Sequence, residues 1–79
     1  MVTLDLAKVI AKFYYGSPVK ISTGTVSYSA KCGVHRLQII KDLFSARLVM
    51  CRIFVMDQSI GYFYFDLMTH QVSRIYADD

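Results

Sequence analysis

Tyr28-Ser29-Ala30-Lys31-Cys32-Gly33-Val34-His35-Arg36-Leu37-Gln38-Ile39 is the stretch on which the fold turns. Gly33 marks a sharp change of direction, and the residues on its two sides read differently. After it, Val34, Leu37, Ile40, Leu43 and Phe44 recur at helical spacing. His35, Arg36, Gln38, Lys41 and Asp42 lie mainly on the other side, with Ile39 at the margin, so the spacing predicts a helix over 34–45. Before the glycine, residues 22–30 are rich in Ser and Thr, which are weak in helix interiors. They read either as the second strand of a hairpin, with Val26 and Tyr28 alternating, or as a short helix capped by Ser22 or Thr23. Propensity favours the strand; the spacing around Gly33 favours the helix.

Working outward, the N-terminal flank predicts a helix over 3–15. Thr3 is an N-cap, Asp5 suits the positive end of the dipole, Gly16 suits a left-handed cap and Pro18 prevents continuation. Asp5, Lys8 and Lys12 form one narrow stripe and apolar residues cover the rest, so most of this helix is expected to be buried. Val19-Lys20-Ile21 is a short extended run. On the C-terminal side, Leu48–Met56 reads as a strand with two apolar faces: Val49, Cys51, Ile53 and Val55 on one, Leu48, Met50, Phe54 and Met56 on the other. Such a strand is central, covered on both faces, or used as an interface. Asp57-Gln58-Ser59 reads as a hairpin tip and Gly61–Phe65 as the return strand. A second turn follows over 66–71, with His70 where a left-handed residue is wanted, and then a strand over 72–77. The expected fold is α+β: two main helices packed on a C-terminal three-stranded antiparallel meander. The alternative is helix, hairpin, helix, meander.

Composition narrows the function. The 79 residues are expected to form a single domain over 1–79. They are 54% hydrophobic, with six Tyr, five Phe and no Trp, which argues against a disordered chain. All six acidic residues are Asp and the net charge is +3. No apolar run approaches the roughly 18 residues that span a bilayer, so no membrane role is expected, and no secretory signal is read. A cytoplasmic location follows as the expectation. Cys32, His35, Cys51 and His70 lack the tight second pair that zinc wants, so no metal or other cofactor is expected. No spaced catalytic set and no Gly-rich phosphate loop occurs, so no enzyme is expected.

The basic residues carry more information. Lys31, His35, Arg36, Gln38 and Lys41 cluster about the second predicted helix and Arg47 follows it. Arg with guanine and Gln with adenine are favoured pairings at base edges. The chain around Gly33 resembles the turn of a helix-turn-helix. Ser29 is the small residue four before the glycine, Tyr28 the apolar one before that, and Val34 and Ile39 the β-branched pair after it. The wider layout over 4–67 resembles a winged helix, with the hairpin from Val49 to Phe65 as its wing. Asp42 and the acidic tip at Asp57 depart from that pattern. The resemblance implies a small DNA-binding regulator that uses helix 34–45 as its recognition helix on double-stranded DNA, as a homodimer. Salt-sensitive binding weakened by Arg36→Ala would follow.

A second reading rests on surplus aromatic surface. Phe54, Tyr62, Tyr64 and Tyr76, with the doubly apolar strand, exceed what two helices cover, and such residues are favoured at protein interfaces. This reading is a compact interaction module, such as a phage- or plasmid-type inhibitor or adaptor that binds a host protein complex through its apolar sheet.

Overall fold

The computed structural model describes residues 1–78; the last residue of the expected domain lies outside them. The chain begins with α1 (Leu4–Tyr15) and continues through six strands: β1 (Ile21–Thr23), β2 (Ser27–Cys32), β3 (His35–Ile40), β4 (Leu48–Val55), β5 (Gln58–Asp66) and β6 (Tyr76–Ala77). The strands form one antiparallel sheet in sequence order, a six-stranded meander with α1 on one face.

The helix 34–45 does not exist, which overturns both expected architectures: one helix and six strands replace two helices on three strands. Gly33, at φ 64°, is the first central residue of a two-residue turn joining Cys32 to His35. A glycine with positive φ at that place suits the tight hairpin whose twist matches its strands. The glycine that resembled a helix-turn-helix corner therefore closes a β-hairpin, and residues 27–40 pair from Cys32↔His35 out to Ser27↔Ile40. The expected wing is likewise no projection, since β4 is paired on both edges, to β3 and β5.

Alternation places the core. Tyr28 and Ala30 (β2), Leu37 and Ile39 (β3), Val49, Cys51 and Ile53 (β4), and Phe63 and Phe65 (β5) point to the helix side and are buried. Helix α1 meets them with Ala7, Ile10 and Ala11, one stripe at helical spacing, and Tyr14 extends it. Thr3 Oγ1 accepts the Leu6 N–H at 3.2 Å, and Gly16 caps the far end at φ 77°. The expectation that most of the helix is buried fails: Leu4, Val9 and Phe13 are exposed, because the helix contacts the sheet along one side and nothing packs over the other. Val2 is pinned beneath this layer. Its N–H donates to Lys41 O at 2.8 Å, and its carbonyl accepts from Tyr28 Oη at 3.2 Å.

The β4–β5 turn is Met56-Asp57, not the expected Asp57-Gln58-Ser59, and both residues have positive φ (52° and 64°). This is the hairpin geometry that favours Asn-Gly, and an L residue there costs roughly 1–2 kcal/mol. Met56→Asn with Asp57→Gly is therefore expected to stabilise the fold by about 1 kcal/mol. The check is the urea midpoint; an unchanged or lower midpoint contradicts the turn assignment. The second expected turn is present: Asp66 Oδ1 accepts from the Met68 N–H at 2.8 Å, and His70 has φ 57°. The strand expected over 72–77 is paired only at Val72 and over Tyr76–Ala77.

Candidate functional site

Among the described residues no helix lies over the second face of the sheet, only Phe44 and Arg74 reach it from the connections, and its composition is unusual for an exposed surface. The cross-strand register lines up three rows there. Lys31, Arg36 and Phe54 form the first; Ser22, Ser29, Gln38, Arg52, Tyr62 and Tyr76 form the second. Ile40, Met50 and Tyr64 belong to the third. Most of these side chains are half-buried by their neighbours alone.

Aromatic and guanidinium groups pack against one another across this face. The Arg36 guanidinium lies 4.0 Å from the centre of the Phe54 ring, and Arg74 lies 4.5 Å from that of Tyr76. Arg52 stands 5.7 Å from the Tyr62 ring. Tyr62 stacks on Tyr76 at 5.2 Å and 16°, and Phe44 leans on Tyr64 at 4.7 Å. Each cation–ring pair contributes about 0.5–1 kcal/mol when exposed, and together they hold long side chains in fixed positions before anything binds. Gly61 permits the outermost part of this arrangement: a Cβ there would lie 2.6 Å from Tyr76 O. The close approach of β6 that stacks Tyr76 on Tyr62 thus needs a residue without a side chain.

Charge on the face is one-sided. Arg47 pairs with Asp66 at 3.1 Å, and Arg52 reaches Asp78 only at 4.0 Å. Among the described residues, Lys31, Arg36 and Arg74 have no carboxylate within that distance. Lys31 and Arg36 are direct cross-strand neighbours, an arrangement of like charges that costs stability. Shallow hollows lie near both ends, one of about 350 Å³ beside Lys31, Arg36 and Asp57, the other of about 420 Å³ beside Leu48, Tyr64 and Tyr76.

The residues singled out from sequence divide clearly. Phe54, Tyr62, Tyr64 and Tyr76 all lie on the open face. Of the expected DNA-contacting set, Lys31, Arg36 and Gln38 lie there too, with Gln38 Nε2 donating to Ser27 Oγ at 3.2 Å. The other three do not join them. Lys41 follows β3 and sits 5.0 Å from the Tyr28 ring. Arg47 is held in the β3–β4 loop by Asp66.

His35 is turned to the helix side. Tyr15 Oη donates to Ala30 O at 3.2 Å and lies 2.9 Å from His35 Nδ1, while Tyr14 Oη lies 3.2 Å from Nε2. With the Tyr15 proton committed to the carbonyl, Nδ1–H donates to Tyr15 and Nε2 accepts from Tyr14, so every group is satisfied. Burial, with Tyr14 and Cys32 nearby, pushes the Tyr15 hydroxyl up to about 12. His35 therefore clamps the end of α1 to the sheet. Sequence reasoning missed Arg52, Ile40 and Arg74 as parts of the open face; period-two alternation with Met50 and Phe54 marks Arg52 and with Arg36 and Gln38 marks Ile40, whereas Arg74 lies outside the strands and reaches the face over the Tyr76 ring.

The remaining chemistry is quiet. Among the described residues no buried side-chain nitrogen or oxygen lacks a hydrogen-bond partner, and no three His, Cys or Asp gather as a metal cluster. Among the described residues no helix is long and apolar enough to cross a membrane. Burial pushes the Cys51 thiol up to about 12, whereas Cys32 is exposed. Since the thiolate is the nucleophile, iodoacetamide at pH 8 is expected to label Cys32 alone in the folded chain and both thiols in urea. Labelling of Cys51 without denaturant, seen by mass spectrometry, would contradict its place in the core. No protein-family model matches the chain, and neither a curated protein nor a solved structure matches it significantly.

Proposed function

We propose that the chain is a protein-interaction module whose open sheet face, centred on Arg36, Arg52, Phe54, Tyr62, Tyr64 and Tyr76, receives an acidic surface of another protein. The observation that carries this reading is the one-sided charge of an exposed aromatic face: cations stacked on rings, with few carboxylates to meet them. Tyr, Phe, Met and Arg are the residues enriched where proteins meet, and such anchors carry most of the binding energy. A guanidinium already seated on a ring presents its fork to a carboxylate at little further entropic cost. A second copy fits this face less well, because it would set Lys31, Arg36, Arg52 and Arg74 against the same four cations.

Double-stranded DNA, the first expectation, loses its reading element with the helix 34–45. The β2–β3 hairpin is no substitute, since β3 is paired to β4 along its other edge and cannot enter a groove as a free ribbon. Stacking of single-stranded bases is disfavoured too: the Tyr62 and Tyr76 faces are occupied by each other, and Phe54 and Tyr76 by guanidinium groups.

A photo-crosslinking side chain placed at Tyr62 in one chain and at exposed Thr25 in another tests the proposal in the cell of origin. The expected result is a discrete protein adduct from position 62 alone. Its purified partner should bind in a salt-dependent way, lose affinity to Arg36→Glu, and regain it on reversal of the facing acid. Adducts formed equally from both positions, or nucleic acid as the adduct of position 62, overturn the reading.

A further inference from the structure

We propose that the groove between α1 and the outer edge of β1 is a second binding site, which takes an extended acidic peptide segment as a seventh strand of the sheet. The groove holds about 430 Å³ and is lined by Lys8 and Lys12 from the helix, Pro18, Val19 and Lys20 from the connection, and Ile21 from β1. It lies at the β1 end of the sheet on the helix side, since Ile21 pairs with core-facing Ala30. The two sites meet only at Lys20, which also borders a hollow with Ser22, Ser29 and Lys31 on the open face.

Two features select the occupant. The first is backbone. β1 is the terminal strand in the sheet order, and Gly24 N–H donates to Ser27 O at 2.8 Å where its hairpin closes. Alternation from that bond turns the N–H and C=O of Ser22 inward to Ser29, and those of Ile21 and Thr23 outward along the edge. An edge that presents free donors and acceptors at strand spacing is a template for another strand. The second feature is charge. Among the described residues Lys8, Lys12 and Lys20 have no carboxylate within 4.0 Å, and they rim a floor made of half-buried Val19 and Ile21. An incoming strand satisfies the edge through its backbone, seats apolar side chains on that floor and offers carboxylates to the rim. A second copy of this chain would bring three more lysines to the same edge, which favours an acidic heterologous segment.

The test is selection of a random octapeptide library on the whole chain, followed by binding and amide-exchange measurements on the enriched peptides. Enriched sequences are expected to carry Asp or Glu, to bind in a salt-dependent way and to protect the Ile21 and Thr23 amides. Lys8→Glu with Lys12→Glu should weaken binding by about tenfold or more, as should N-methylation of alternate peptide bonds. Both lysines are solvent-exposed, and Thr23→Pro is an independent variant: it removes an outward N–H and leaves the β1–β2 ladder. Tyr62→Ala should leave this binding unchanged, so failure here and failure of the open-face reading are distinguishable. The proposal is overturned by selection without acidic enrichment, by undiminished binding to the lysine variants or of the N-methylated peptide, or by edge signals that shift with duplex DNA and with no peptide.

Discussion

Truncating Phe63 to alanine is expected to cost about 3–5 kcal/mol. Phe63 is 1% exposed, stacks on Tyr14 at 5.3 Å and 13°, and stands on the central part of β5 beneath α1. Removing it deletes the transfer free energy of a whole ring and leaves a cavity that a sheet paired on both sides cannot collapse to fill. Native domains hold about 5–15 kcal/mol, and a chain this short belongs near the lower end. The variant should therefore be partly or wholly unfolded at 25 °C in the absence of denaturant. Phe54→Ala is the paired control. Its ring lies on the same sheet but on the uncovered face, and its loss should cost about 1 kcal/mol, roughly one cation–ring contact and some exposed area. Urea titrations of the two variants that gave equal losses would mean that the two faces are not distinguished as described.

The second large effect concerns binding. Arg36→Glu with Arg52→Glu should reduce affinity for the crosslinked partner by about 100-fold or more, since buried charge contacts and their reversal each carry several kcal/mol at interfaces. Tyr62→Ala should reduce it by about 30-fold, corresponding to a hot-spot loss of about 2 kcal/mol. Both variants should keep the wild-type unfolding free energy from urea titration within about 1 kcal/mol, because half-exposed groups contribute little to folding. Arg47→Glu is the informative contrast. Arg47 is tied to Asp66 in the β3–β4 loop, so its reversal should disturb the turn and leave affinity nearly unchanged. Equal losses from Arg47 and Arg36 would indicate attraction by net charge alone, with no dedicated face.

Much of the chain's local structure is legible in its residues. Thr3, Gly16 and Pro18 bound α1, and the alternating apolar run 48–56 with its aromatic return marks β4 and β5. His70 shows why a left-handed turn position can be read when the residue there tolerates it. The segment 34–45 departs from its expected helix for a physical reason. Val34, Leu37, Ile40, Leu43 and Phe44 fit helical spacing, yet Leu37 and Ile39 fit a two-residue period equally well, with Arg36, Gln38 and Ile40 on the other side. What decides between the two lies outside the segment. β4 is apolar on both faces and needs a partner on each edge, and residues 35–40 supply one through Arg36↔Phe54, Leu37↔Ile53 and Gln38↔Arg52. Strand preference is a property of such neighbours more than of the residues themselves.

The same ambiguity governed the site. On a helical wheel His35, Gln38 and Lys41 share a side; on a strand His35 parts from Gln38, which joins Arg36. Phe54, Tyr62 and Tyr64 are more securely legible, because β4 and β5 read as strands and alternation then fixes which side chains share a face; Tyr76 joins them through its pairing with Tyr62.

The most direct test of this account is the NMR contact pattern across Gly33. Alternation from the hairpin turn makes Lys31–Arg36 and Ser29–Gln38 the non-hydrogen-bonded pairs, in which the two backbones approach most closely. Strong Hα–Hα contacts within both pairs, with none of the sequential amide contacts of a helix over 34–45, are the predicted result. A run of sequential amide contacts from Val34 to Phe44, with those cross-strand contacts missing, would contradict it and dissolve the open face along with the hairpin.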